Sequence, residues 1–114
     1  MNTLFPEVLN KNIHEHKATL DISMPKDLLY FKGHFPENPI LPGIVQVHWA
    51  LHYAKGCFNI SGVVTRCPSI KFTNIINPEM NLKLTLEFFP TDSYITFAYK
   101  NDEHTYSTGR LCYK

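Results

Sequence analysis

No surplus of charge marks this chain. Eleven Lys or Arg stand against ten Asp or Glu, for a formal net charge of +1, and the basic residues are scattered. A nucleic-acid partner calls for a basic tract or stripe to answer the phosphate backbone, so composition gives that class no support. Long apolar runs are also missing. Met1 to Asn10 carries Pro6 and Glu7 and lacks both a basic start and an extended apolar stretch, which reads as neither a secretory leader nor a membrane span. The expected compartment is the cytoplasm. Cysteine is sparse and odd in number: Cys57, Cys67 and Cys112 fall at spacings that match no zinc or redox motif. Reduced thiols that serve as packing residues are the expectation. No internal repeat and no low-complexity segment interrupts the sequence.

What is present suits one compact domain over residues 1–114, with 44% hydrophobic and 13% aromatic residues to fill its core. A chain of this length buries roughly two thirds of its unfolded surface. Ala18, Leu20, Ile22 and Met24 alternate with Lys17, Thr19, Asp21 and Ser23, the two-residue period of a half-buried strand, and Pro25 ends it. Residues 26–43 hold Pro36, Pro39 and Pro42 with Gly33 and Gly43, a density of backbone constraint that predicts an ordered, stiffened loop.

From Ile44 to about Lys55 the sequence runs without an internal Gly or Pro, and Gly56 follows as a plausible stop, which predicts one helix. Apolar side chains cover most of its circumference, so it has to be wrapped by other elements. The exceptions are His48, His52 and Lys55, which share a narrow stripe open to reading as the solvent face, and Gln46 on the far side. The remainder predicts four strands: Val63 to Thr73, Leu82 to Phe88, Tyr94 to Tyr99 and Thr105 to Tyr113. Asn77-Pro78, Pro90 to Asp92 and Asn101-Asp102 read as hairpin turns. A strand, a loop, a helix and four antiparallel strands make an α+β arrangement, one long central helix wrapped by a curved antiparallel sheet, known as the hot-dog fold.

Gly33-His34-Phe35-Pro36, followed by Pro39-Ile40-Leu41-Pro42-Gly43, places an imidazole on a proline-braced loop just before a helix N-terminus. The first amides of a helix have no intrahelical partner and carry the positive end of the dipole, so they can hold charge on a carbonyl oxygen. Gly43 allows close approach to that backbone. A thioester carbonyl held there gains electrophilicity, its α-proton gains acidity, and His34 is the candidate base to remove that proton.

The segment from Tyr30 to Ala50, with its GHFP loop, spaced prolines and PG helix start, resembles the signature of the 3-hydroxyacyl-acyl-carrier-protein dehydratases of fatty acid synthesis. Ile70-Lys71-Phe72 with Pro78, and Gly109-Arg110, resemble later strands of that family. The helix beginning PG-x-V-Q-x-H-W is similar to that of dehydratases from aryl-polyene-type clusters. The resemblance implies a hot-dog homodimer or higher homo-oligomer with no metal or organic cofactor. It implies a substrate carried on acyl carrier protein or coenzyme A, and an active site at the subunit interface. It further implies that His34 acts from one subunit, that Gly43, Phe35 and Pro42 bind substrate, and that an acidic residue on the other subunit's helix completes the pair. Here the sequence departs, because His48 stands at the acidic position and no carboxylate occurs from Ile44 to Lys55. An imidazole can donate a proton to a departing hydroxyl only in its charged form, which at pH ~7.5 is about one-tenth of an ordinary population.

Plainer readings stand beside these. A lone histidine is usually a packing or surface residue, and for His48 a hydrogen-bonded or solvent-facing role competes with proton transfer. His48 and His52 have the i, i+4 spacing of helical zinc ligands, but no further ligand is evident beyond His34. His14 and His16 flank Glu15 in a polar stretch taken as solvated terminus. Trp49 reads as core, Gln46 as a hydrogen-bonded core or site residue, and Lys32, Lys71, Arg66 and Arg110 as ordinary solvated surface or a greeting for an acidic carrier. The preferred activity is dehydration of a 3-hydroxyacyl thioester with His34 and His48 as catalytic pair. Thioester hydrolysis at the same site is an alternative, and so is a non-catalytic acyl-thioester-binding or dimer-partner subunit.

Overall fold

The structure is a computed structural model that describes residues 3–31 and 39–114. In chain order the elements are β1 (Glu7–His14), β2 (Lys17–Ser23), a 3-10 turn (Leu29–Phe31), α1 (Gly43–Phe58), β3 (Val64–Arg66), β4 (Lys71–Phe72), β5 (Asn81–Phe89), β6 (Tyr94–Lys100) and β7 (Thr105–Tyr113). Alternation decides how the strands lie. Ala18, Leu20 and Ile22 of β2, Leu82, Leu84 and Leu86 of β5, and Ile95, Phe97 and Tyr99 of β6 are all buried, with more exposed residues between them. Leu20 pairs with Leu84, and Leu84 with Tyr99, so one register puts every apolar row on one face. Complete burial of a Leu or Ile side chain is worth about 1.5–3 kcal/mol.

The strands form one antiparallel sheet in the order β1-β2-β5-β6-β7-β3, with β4 also paired to β7. On its inner face lies α1, which packs against β5 and buries Val45, Gln46, Trp49, Ala50 and Ala54. Trp49 is fully buried and its indole N–H donates to the Leu4 carbonyl at 3.1 Å, which settles it as core. This is the expected α+β hot-dog arrangement.

Several local expectations are corrected. The polar stretch before the first strand is itself a strand, β1, every residue of which is exposed. With no buried side to report, its sequence carries no alternation; His14 is its last residue, opposite Lys17, and Glu15, at φ 55°, and His16 make the tight β1–β2 connection. The stretch from Val63 to Thr73 is two short strands, broken around Pro68 and Ser69, the latter at φ 60°. Asn77-Pro78 is not a hairpin, because β4 pairs with β7 while β5 pairs with β2 and β6. The other two predicted hairpins are present. Gly56 does not stop α1, which runs to Phe58 and ends at Asn59 in the left-handed conformation, φ 54° and ψ 45°. The stripe of His48, His52 and Lys55 is indeed exposed, and Ile44, read as part of the apolar surface of α1, joins it at 81% exposed. Cys57 and Cys112 are half-buried, but Cys67 is exposed and packs nothing. Among the described residues no helix is long and apolar enough to cross a membrane.

Candidate functional site

Three hydrogen bonds fix the chain as it enters α1. The Asn77 amide donates to the Pro39 carbonyl at 3.0 Å, the Leu41 N–H to the Ile76 carbonyl at 2.9 Å, and the Gln46 side-chain amide to the Leu41 carbonyl at 3.2 Å. Pro42 is the N-cap, extended at φ −61° and ψ 145°, and supplies no side-chain acceptor. Its carbonyl accepts from the Val45 and Gln46 N–H groups at 3.1 and 3.3 Å. Among the described residues nothing accepts from the Gly43 or Ile44 amides. Two donors at the positive end of a helix of 16 residues are therefore held in place with no acceptor among the described residues.

Beside them opens a cleft of about 350 Å³, bounded by Pro42, Gly43, Gln46, Phe72, Asn74 and Ile75. Phe72 is half exposed and lays its ring against Gly43 so closely that a Cβ on that residue would come within 2.6 Å of it. The need for glycine here was legible in the sequence, but its reason was not. Close approach was expected from a ligand, and in the structure an aromatic side chain from β4 makes it. Phe72 had entered only as part of a family-like strand, since nothing local in the sequence ties position 72 to position 43.

Gln46 holds the floor of the cleft. Besides its bond to Leu41, its Oε1 accepts from the Ser107 hydroxyl at 2.6 Å, and its backbone carbonyl accepts from the Tyr99 hydroxyl at 2.7 Å. Burial, with a smaller contribution from Tyr53, pushes the Tyr99 phenol well above its ordinary range, so it serves as a neutral donor. Each buried polar atom of this cluster is thus satisfied, and Gln46 resolves as a structural pin under the site.

Pro42 and Gly43 therefore meet at the cleft. His48 does not: it lies five residues on, about 140° round the helix, exposed on the open stripe with the Phe5 ring 6.5 Å from its own. Phe5 stacks closer to His52, at 4.6 Å. His34 and Phe35 lie outside the described residues. Burial raises the Cys57 thiol above its usual range, partly opposed by the charge of Lys11, which disfavours its thiolate form.

Known proteins resemble this chain at three depths. The E. coli PaaI protein of the phenylacetic acid degradation operon, 14% identical with a TM-score of 0.63, covers 93% of this chain and 79% of its own, and shares the fold alone. A 3-hydroxyacyl-[acyl-carrier-protein] dehydratase FabZ of Novosphingobium aromaticivorans is 37% identical over 90 residues, 70% of this chain. The chain spans only about half of that relative, 53% of its length. The structure of the dehydratase heterocomplex ApeI:P from Xenorhabdus doucetiae has a TM-score of 0.91 at 27% identity, over 96% of this chain and 98% of that one. An uncharacterized protein from Erwinia carotovora subsp. atroseptica has a TM-score of 0.83 at 28% identity, over 97% of both chains. The sequence model for ApeI dehydratase matches residues 10–110, the sheet from β1 into β7 and the whole of the α1 cleft, and on that match the chain belongs to the ApeI-like dehydratase family.

Proposed function

We infer that this chain removes water from a 3-hydroxyacyl thioester, borne on acyl carrier protein or coenzyme A, to give the trans-2-enoyl thioester in fatty acid or polyene type biosynthesis. The observation that carries the reading is the pair of Gly43 and Ile44 amides, which no described residue engages, at the mouth of an apolar cleft in a chain of a dehydratase family. The Gly43 amide holds the thioester carbonyl oxygen, which gathers charge as the α C–H bond breaks. His34 takes that proton, with Phe35 and Pro42 lining the substrate. The β C–O bond then breaks, and His48 gives the departing hydroxyl the proton that makes it water.

Because Gly43 and His48 face different ways on one helix, the pair is completed by a second subunit. We assign the active form to a homodimer in the cytoplasm. The exposed stripe headed by Ile44 supplies the surface for that contact. A second reading rests on the missing helix carboxylate and on the similarity to a chain from a heterocomplex: the chain is then a dimer partner that binds without turning over. Incubation of the pure chain with a 3-hydroxyacyl thioester separates these. Enoyl absorbance is the expected result, free thiol would establish hydrolysis instead, and binding with neither product would establish the partner role.

A further inference from the structure

Lys71, Arg110 and Arg66 come from three different strands, yet register puts them on one face. Lys71 of β4 stands opposite Thr108 of β7, and Arg66 of β3 opposite Cys112 of β7. Thr108, Arg110 and Cys112 alternate with Gly109, which lies against the buried Phe97 and against Ile70, and with the buried Leu111. All three cations therefore project from the convex side, spaced in two-residue steps of about 7 Å along β7. All are exposed. Two of them are oriented: Arg110, in the middle, lies 4.2 Å over the Tyr94 ring, and an Arg66 nitrogen is 3.7 Å from the Cys112 sulfur. On this face Glu87 sits two strands away, opposite Thr96 and beside Lys17, and Asp92 is in the β5–β6 turn. Neither makes an ion pair with the row, since the one ion pair among the described residues joins Lys83 to Asp21.

The row also ends at the cleft. Alternation along β4 turns Lys71 outward and Phe72 inward onto Gly43, so the first cation is one residue from the lip where a thioester would enter. We propose that Arg66, Lys71 and Arg110 form the seat for an acidic carrier protein whose acyl arm passes over β4 into the Gly43 cleft. This rests on the dehydratase reading for what the arm delivers, while the docking itself follows from charge of one sign, unpaired among the described residues, beside an apolar entrance.

The test compares the wild-type chain with the triple variant R66Q/K71Q/R110Q and with R110K, which keeps the charge. Binding of a purified acidic acyl carrier protein is measured first, without any need for turnover. The triple variant is expected to bind at least about tenfold more weakly, with a shallower salt dependence, and R110K like the wild type. Turnover of a 3-hydroxybutyryl chain is then followed on that carrier and on N-acetylcysteamine. The triple variant is expected to lose kcat/KM on the carrier and to keep it on the small thioester. Equal carrier affinity in the triple variant and the wild type overturns the docking seat even if both are active. Equal losses on both substrates overturn it too, by showing a disturbed site. A wild type that binds the carrier through this row but forms no enoyl product on either substrate would leave the seat standing and overturn the dehydratase reading.

Discussion

At Gly43 a hydrogen is all that the Phe72 ring leaves room for, and the two residues should be coupled energetically. Gly43→Ala is expected to destabilise the chain by about 1 kcal/mol, since the half-exposed ring can partly yield. In a Phe72→Ala background the same change should cost nothing, because alanine suits a helix better than glycine. A double-mutant cycle in urea measures the coupling, and equal costs in both backgrounds would separate the two residues. Tyr99 gives a pH-dependent counterpart. Its folded-state pKa is raised above the ordinary 10.0, so its stabilisation is fully present below pH 10 and is lost as pH rises toward the folded value. Tyr99→Phe should lower stability by about 1 kcal/mol at neutral pH, through the lost bond to Gln46, and should flatten the decline above pH 10. Denaturant midpoints measured across that range check both effects.

At the scale of elements, α1 carries a prediction that follows from its corrected end. Gly56 lies inside the helix and a Cβ there would meet no atom within 4 Å. Gly56→Ala should therefore stabilise the chain by about 0.5–1 kcal/mol in thermal or urea unfolding, whereas a true stop glycine would be harmed by the change. The helix itself was legible because 12 residues from Ile44 to Lys55 lack Gly and Pro. Strands β2, β5 and β6 were legible because burial on one face writes a two-residue period into sequence. Strand β1 left no such trace, since it is exposed on both faces and is recruited by pairing with β2. The break in the strand after Val63, whose two pieces pair with different stretches of β7, and the crossover at Asn77-Pro78, after which β5 joins β2 and β6, are properties of the assembled sheet. Of the candidate site, Pro42 and Gly43 follow from local backbone chemistry, but the Phe72 contact and the bonds from Ser107 and Tyr99 to Gln46 span sequence separations that no local pattern encodes.

Across the whole molecule, the donors and cleft lie on one side of α1 and His48 on another, on a stripe exposed among the described residues that the proposed homodimer would cover. A C2 pair joined through that stripe would use the same surface twice and make two equivalent sites. The reading of His34 and His48 as partners therefore belongs to the dimer and is tested there. His34→Ala and His48→Ala should each abolish enoyl formation while leaving the unfolding transition in place. Co-folded in equal amounts, the two inactive variants should recover about a quarter of wild-type activity, because about half the dimers pair unlike subunits and each of those holds one intact site of two. Recovery near that level is the result this account predicts, and a mixture as inactive as its components would contradict it.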